Sequence, residues 1–538
     1  MKKFRFLSIA GTLLSSLAAL TFTGPAASHD DEAEKLGKVH FPISCNVKAQ
    51  QGFDRALAML HSFWFPQTNS AFAEVANADP GCAMAQWGIA ISQRSNPLVG
   101  APAAEMMKRG KEAIEKAKTL SAETQRERAY IAALDLYYQD WDKLDYRIRV
   151  LAYEKAMEQV YLRYSEDLEG AVLYALALNE AITVLPADKT YSRQFKAAGI
   201  LEKVLTKQSD HPGALHYLIH SYDFPALATR GLPTAHLYAA VARSAPHALH
   251  MPSHIYSMLG MWQESIQSNQ AAVGVAKSYV HAMDFMVYAY LQMAQDGQAE
   301  RVMNESIALQ QAVGTAAQRT PTGGLLTVYT AYAAIPARYA IERGAWAEAA
   351  ALELHPRSPV GDAITYFTRA MGFARLGQPA LAHKEIAALQ LLRDELAQAK
   401  QGYWVEQLEI QRKAATAWTA LAEGNRTEAL TLMRSAADLE DGSDKHVAME
   451  NRLWPMRELL GELLLDLNEP ALALREFEAS LEVARNRLRG LGGAARAAQM
   501  IGDQRKAAAF YEEVLKLARN ADSDRKEIED AKAFLATR

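Results

Sequence analysis

Short breaks that begin with glycine recur along the chain, and they constrain its fold more than any other feature. They stand at Gly260-Met261-Trp262, Gly344-Ala345-Trp346, Gly377-Gln378-Pro379, Gly424-Asn425 and Gly502-Asp503. Each falls between two stretches in which apolar residues return at helical spacing over about 12–18 residues, the length of one arm of a helical hairpin. Strand signals are scarce, and Asn-Gly or Asp-Gly turns joining alternating β-branched runs are missing. The expected class is therefore all-α, built from paired helices. Hydrophobic residues make up 50% of the chain, enough for a core that continues along a stack of such pairs.

The N-terminus carries an address. Lys2, Lys3 and Arg5 precede an uncharged, mostly apolar run from Leu7 to Thr23, followed by the small residues Gly24 to Ser28. That order is a cationic region, an apolar region and a cleavage zone, so residues 1–28 read as a signal peptide. The run is short for a membrane span, and no later stretch is long and uncharged enough to be one. No cysteine follows it to accept a lipid. The mature chain is thus expected in a periplasm or secreted, without membrane insertion after cleavage. The only cysteines, Cys45 and Cys82, are an even count in an oxidising compartment. They predict a disulfide tying the N-terminal segment to the start of a later helix, with two buried free thiols as the alternative. Lys+Arg total 58 against Asp+Glu 62, a net charge of −4 with no basic run, which argues against a nucleic-acid partner.

Small and aromatic residues follow the glycines at set offsets. In Leu259-Gly260-Met261-Trp262-Gln263-Glu264-Ser265 an aromatic comes two after the glycine and a small residue three later; Gly344 to Ala349 repeats the arrangement. In these residues the chain resembles the tetratricopeptide repeat family, with its 34-residue period. The resemblance implies a right-handed superhelix, an α-solenoid of about a dozen hairpins. Hairpins read most clearly near 50–80, 246–279, 280–313 and 487–520, and least regularly around 81–165 and 314–360. Thr320-Pro321-Thr322-Gly323-Gly324 marks a boundary between an arc at 29–318 and a second at 319–538. The last helix, about Lys526 to Thr537, reads as a polar cap.

Eight of the 14 histidines lie between His211 and His281. His216, His220 and Asp223 share one helix face at i, i+4, i+7. His216 to His250, His220 to His254, His247 to His281 and His250 to Asp284 are each separated by the repeat length of 34. The family resemblance implies that His247, His250 and His254, on the first helix of their hairpin, line the concave groove. First helices of neighbouring hairpins pack about 8–10 Å apart. His216, His220, His247, His250, His254 and His281, with Asp223 or Asp284, are therefore expected to converge into one ring of donors. Imidazole and carboxylate suit copper, zinc or iron, and Met251, Met258, Met283 and Met286 tilt the choice towards copper. His61, in the run to Phe65, would join only if the superhelix curled back.

More narrowly, the chain resembles exported bacterial tetratricopeptide proteins carrying His-x-Leu-Ile-His-Ser-Tyr-Asp and His-Ala-Leu-His-Met-Pro-Ser-His, here at 216–223 and 247–254. That group names no reaction, and no zinc-protease, nucleophile-elbow or phosphate-loop motif occurs in the sequence. Two main readings stand. One is a metal-binding superhelix; the other is a metal-free scaffold holding a peptide or protein in its groove. A third, a pH-sensing scaffold, would use the same histidines as titrating groups.

Overall fold

A computed structural model describes residues 34–537 apart from 121, 314–325, 355–357, 447–449 and 451. The signal peptide and the 318/319 boundary both lie outside the described residues. Among the described residues there is helix and no strand, in 26 helices. Pro246–His250 and Pro252–Leu259 are two arms of one bent helix, because the intervening Met251 stays right-handed helical with φ −53° and ψ −36°. Taken as one, they leave twelve hairpins and a final helix, Lys526–Ala536. The final helix buries Ile528, Ala531 and Phe534 on one side, as a cap does.

The same turn makes eight of the twelve hairpins. Gly260, Gly344, Gly377, Gly424 and Gly502 take φ between 65° and 84°. In each case the N–H of the next residue donates to the carbonyl five back, from Met261 to Tyr256 through Asp503 to Ala498, at 2.8–3.0 Å. This is the left-handed helix stop that glycine adopts without steric cost. Phe63, Ala294, Lys400 and Asn468 adopt the same conformation and bonding without glycine. Those four turns carry no glycine signal in the sequence.

Stacking follows the repeat. First helices touch the next first helix: Pro212–Tyr222 meets Pro252–Leu259, which meets Val280–Gln292, which meets Leu326–Glu342. Other contacts break this nearest-neighbour rule. The very first helix, Val47–His61, also packs on Pro212–Tyr222, the first helix of the fifth hairpin. Farther along, Trp262 Nε1 donates to the Asn486 carbonyl at 2.8 Å and Arg525 pairs with Asp296 at 2.5 Å. The solenoid therefore folds against itself, and the first-helix face carrying the histidines is covered. No helix among the described residues is long and apolar enough to cross a membrane.

Cys45 and Cys82 are disulfide-bonded across 37 residues, as the sequence led us to expect. The chain-entropy argument gives such a loop about 4 kcal/mol. Replacing both cysteines by serine should speed amide exchange in Val47–His61 and Phe65–Ala78 while leaving Gly402–Ala422 unchanged. Equal exchange in all three would show that the crosslink does not hold the first hairpin.

Candidate metal centre

The histidines do not form one ring. They form two trios, His216/His220/His247 and His250/His254/His281, and in each trio one nitrogen per ring lies within 4.8 Å of the others. Each trio takes an i, i+4 pair from one first helix and a third imidazole from the start of the next. The second trio is the first displaced by 34 residues. Residues one repeat apart are thus equivalent rather than convergent, because the repeat carries each to the same place on the following hairpin.

The outer hydrogen bonds determine which nitrogens are bare. In the second trio, His250 Nδ1 lies 2.6 Å from Asn269 Oδ1. That amide is oriented by its own Nδ2, which donates to the Ser265 carbonyl at 2.8 Å. His250 therefore carries its proton on Nδ1. His254 Nδ1 lies 2.8 Å from a carboxylate oxygen of Asp223, so it too is protonated there. Both Nε2 atoms are left as lone pairs, yet they face each other at 3.0 Å. Burial brings His250 down to about 4 despite Asn269. Burial, then nearby cationic groups, holds His254 well below its ordinary value. A second proton on either ring is thereby disfavoured. His281 completes the trio, its ring centroid 4.7 Å from that of His250, and its buried Nδ1 finds no partner among the described residues.

The first trio repeats the logic. His216 Nδ1 donates to the His61 carbonyl at 2.6 Å, leaving Nε2 bare. His220 Nε2 and His247 Nε2 both approach that one lone pair at 3.1 Å. His247 Nδ1 is 2.8 Å from the Tyr279 hydroxyl. Burial, then repulsion from neighbouring histidines, lowers His216, His220, His247 and His281 as well. Nitrogens held 2.0–2.1 Å from one ion at tetrahedral angles stand about 3.3 Å apart. The His250–His254, His216–His220 and His216–His247 separations of 3.0–3.1 Å are close to that, and the remaining nitrogens lie within 4.8 Å.

A third group, His61/Glu169/His211, has donors equally close but a different electrostatic character. His211 Nδ1 accepts the Ala214 N–H at 3.2 Å, so its Nε2 carries the proton and donates to Glu169 at 3.0 Å. His61 Nε2 donates to the other carboxylate oxygen at 2.8 Å, while its Nδ1 meets the Tyr217 hydroxyl at 3.0 Å. Every atom there has a partner of opposite type, so the group is a closed hydrogen-bond network. Its role is to seat His61, whose carbonyl orients His216. His61 thus reaches the centre because the solenoid does curl back.

The two carboxylates of the sequence reading stand outside the trios. Asp223 accepts from His254 and from Lys445 Nζ at 3.1 Å. Asp284 turns away to accept from Arg338 Nε at 3.0 Å. Met251, Met283 and Met286 pack in the apolar cores. Sequence reasoning passed over Asn269, Tyr279 and Lys445, which carry no spacing signal. Phenyl rings close both trios. The Phe63 centroid lies 4.5, 6.2 and 5.4 Å from His216, His220 and His247, and that of Phe285 lies 4.7, 4.9 and 5.2 Å from His250, His254 and His281.

Fold and site together define an α-solenoid with a buried, all-imidazole double cluster. No protein-family model and no curated protein matches the chain. Among solved structures it is similar to the Cut9–Hcn1 hetero-tetramer of the APC/C, at 12% identity and TM-score 0.34, covering 90% of both chains. It is similar to a tetratricopeptide repeat protein from Parabacteroides merdae at 11% identity and TM-score 0.26, over 64% of this chain and 99% of that one. Naa15/Naa10 bound to HypK-THB gives 13% identity and TM-score 0.25, over 90% and 72%. None is similar enough to speak for function here.

Beside Asp284 and Arg338, the buried Glu450 lies with Oε2 3.9 Å from the Arg338 guanidinium. Burial, opposed by Arg338 and reinforced by Asp284, pushes Glu450 up to about 8. A carboxyl raised above its unfolded value favours the native state at low pH, and that contribution is lost as pH climbs through the folded value. Glu450→Gln should therefore match the parent in denaturant midpoint near pH 5 and exceed it at pH 8.5. A variant less stable than the parent at pH 8.5 would show that the carboxylate is held ionised.

Proposed function

We propose that this chain is an exported solenoid whose two histidine trios bind a transition metal. The observation that carries the reading is the His250–His254 pair. Two bare Nε2 atoms face each other at 3.0 Å, with both Nδ1 protons committed elsewhere. Lone pairs at that distance repel, and a cation between them turns the repulsion into two bonds. The outer acceptors, Asn269 and Asp223 here and the His61 carbonyl in the first trio, hold His250, His254 and His216 in the tautomer that a metal requires.

Burial supports this reading over the metal-free scaffold. His216, His220, His250, His254 and His281 are 0–7% exposed, so a peptide lying along the solenoid would not reach them. A bound copper, zinc or iron ion would supply Lewis acidity or electron transfer; the chain supplies neutral imidazoles, fixed orientation and exclusion of water. Export to a periplasm or beyond is part of the proposal, and the disulfide agrees with an oxidising compartment.

Elemental analysis of the mature chain, purified without an affinity tag, beside His250→Ala/His254→Ala is the test. The parent should carry at least one equivalent of transition metal, the variant should carry less, and their circular dichroism should coincide. A parent that stays metal-free after soaking and desalting would sink the reading.

A further inference from the structure

The centre has a charge balance and a shape that choose among metals, and both depend on side chains outside the trios. All six inward groups are imidazoles, and burial keeps them neutral. The carboxylates that flank the trios are already committed: Asp223 pairs with Lys445 at 3.1 Å and Asp284 with Arg338 at 3.0 Å, and Glu169, beyond His61, accepts the protons of His61 and His211. Lys445, Arg338, Asp223 and Asp284 are all buried. No carboxylate or thiolate bridges the trios among the described residues. Two divalent ions would thus bring four positive charges into a buried place with no carboxylate among the ligands to offset them, a large cost in a medium of low polarity. Two monovalent ions bring half that charge.

Coordination number points the same way. Zinc in proteins takes four ligands, and where the protein supplies three, water fills the fourth position. Each trio supplies three nitrogens, and a phenyl ring, Phe63 or Phe285, lies with its centroid 4.5–6.2 Å from those of all three imidazoles. A phenyl ring donates nothing to zinc, and its apolar face beside the trio disfavours the water that would. Monovalent copper, with a filled d shell, is stable with three nitrogen neighbours and has no need of a fourth.

The number of ions follows from the repeat. The trios are two copies of one motif, 34 residues apart, each with its own phenyl cap and its own outer acceptor. They adjoin: the His220 and His254 centroids are 6.0 Å apart, and those of His247 and His250 are 5.8 Å apart. We propose that the two trios hold a pair of monovalent copper ions, one in each, three-coordinate and without a bridging ligand. This rests on the metal-binding reading and narrows it to one ion, one charge and a count of two.

The test uses the full mature chain, stripped of metal and titrated without oxygen with Cu(I) held by a competing chelator. Separate titrations use Zn(II) and Fe(II). The expected result is two Cu(I) per chain, with Zn(II) and Fe(II) at least 100-fold weaker. One Cu(I) should remain in His250→Ala/His254→Ala and one in His216→Ala/His220→Ala. X-ray absorption on the loaded parent reads the coordination number directly and does not depend on any variant folding; it should report three nitrogen neighbours. One Cu(I) shared by six imidazoles, four-coordinate copper, or two Zn(II) that Cu(I) fails to displace would each overturn the paired copper(I) centre while leaving metal binding intact. Binding of no metal at all would overturn both readings.

Discussion

The contact on which the centre depends is the one between the end of the Val47–His61 helix and the Pro212–Tyr222 helix. A solenoid built only from neighbour-to-neighbour packing would leave its first-helix face open to water, and imidazoles there would be solvated. Here the first hairpin returns to the fifth. The approach is so close that a Cβ on Gly213 would stand 2.5 Å from His61 Nδ1. Glycine at that position is what lets the two helices meet. The contact delivers the His61 carbonyl to His216 and the Phe63 ring to the first trio, so burial, tautomer and capping arise together.

A second layer of order comes from charge. Lys445 and Arg338 reach the region from the later part of the chain, 222 residues beyond Asp223 and 54 beyond Asp284. They leave the carboxylates that flank the trios paired, and the trios themselves neutral. The His61/Glu169/His211 network shows what the same residue types do when a carboxylate lies among them. Its protons and acceptors match, and no cation is called for. Three clusters with similar spacings thus differ in kind, according to where each proton is committed.

Much of this was legible beforehand, for physical reasons that can be named. A glycine that must adopt positive φ leaves a mark in the sequence, so five hairpin turns could be placed; Phe63, Ala294, Lys400 and Asn468 make the same turn by accepting strain and left none. The disulfide pair was visible because only two cysteines exist. The expectation of one convergent ring was mistaken in form. Identical spacing signals equivalence under the repeat, and convergence belongs to neighbours such as His216, His220 and His247.

By itself the sequence determined the helical class, the hairpin period and which imidazoles share a face, because backbone conformation and side-chain periodicity are local properties. It also held the 34-residue duplication that makes the second trio a copy of the first. Only the tertiary structure decided that the face would be covered, that Asp284 would turn to Arg338, and that His61 would orient His216. Those outcomes depend on how small rotations between successive hairpins accumulate along the stack. No local pattern records that sum, and it determines which distant residues meet.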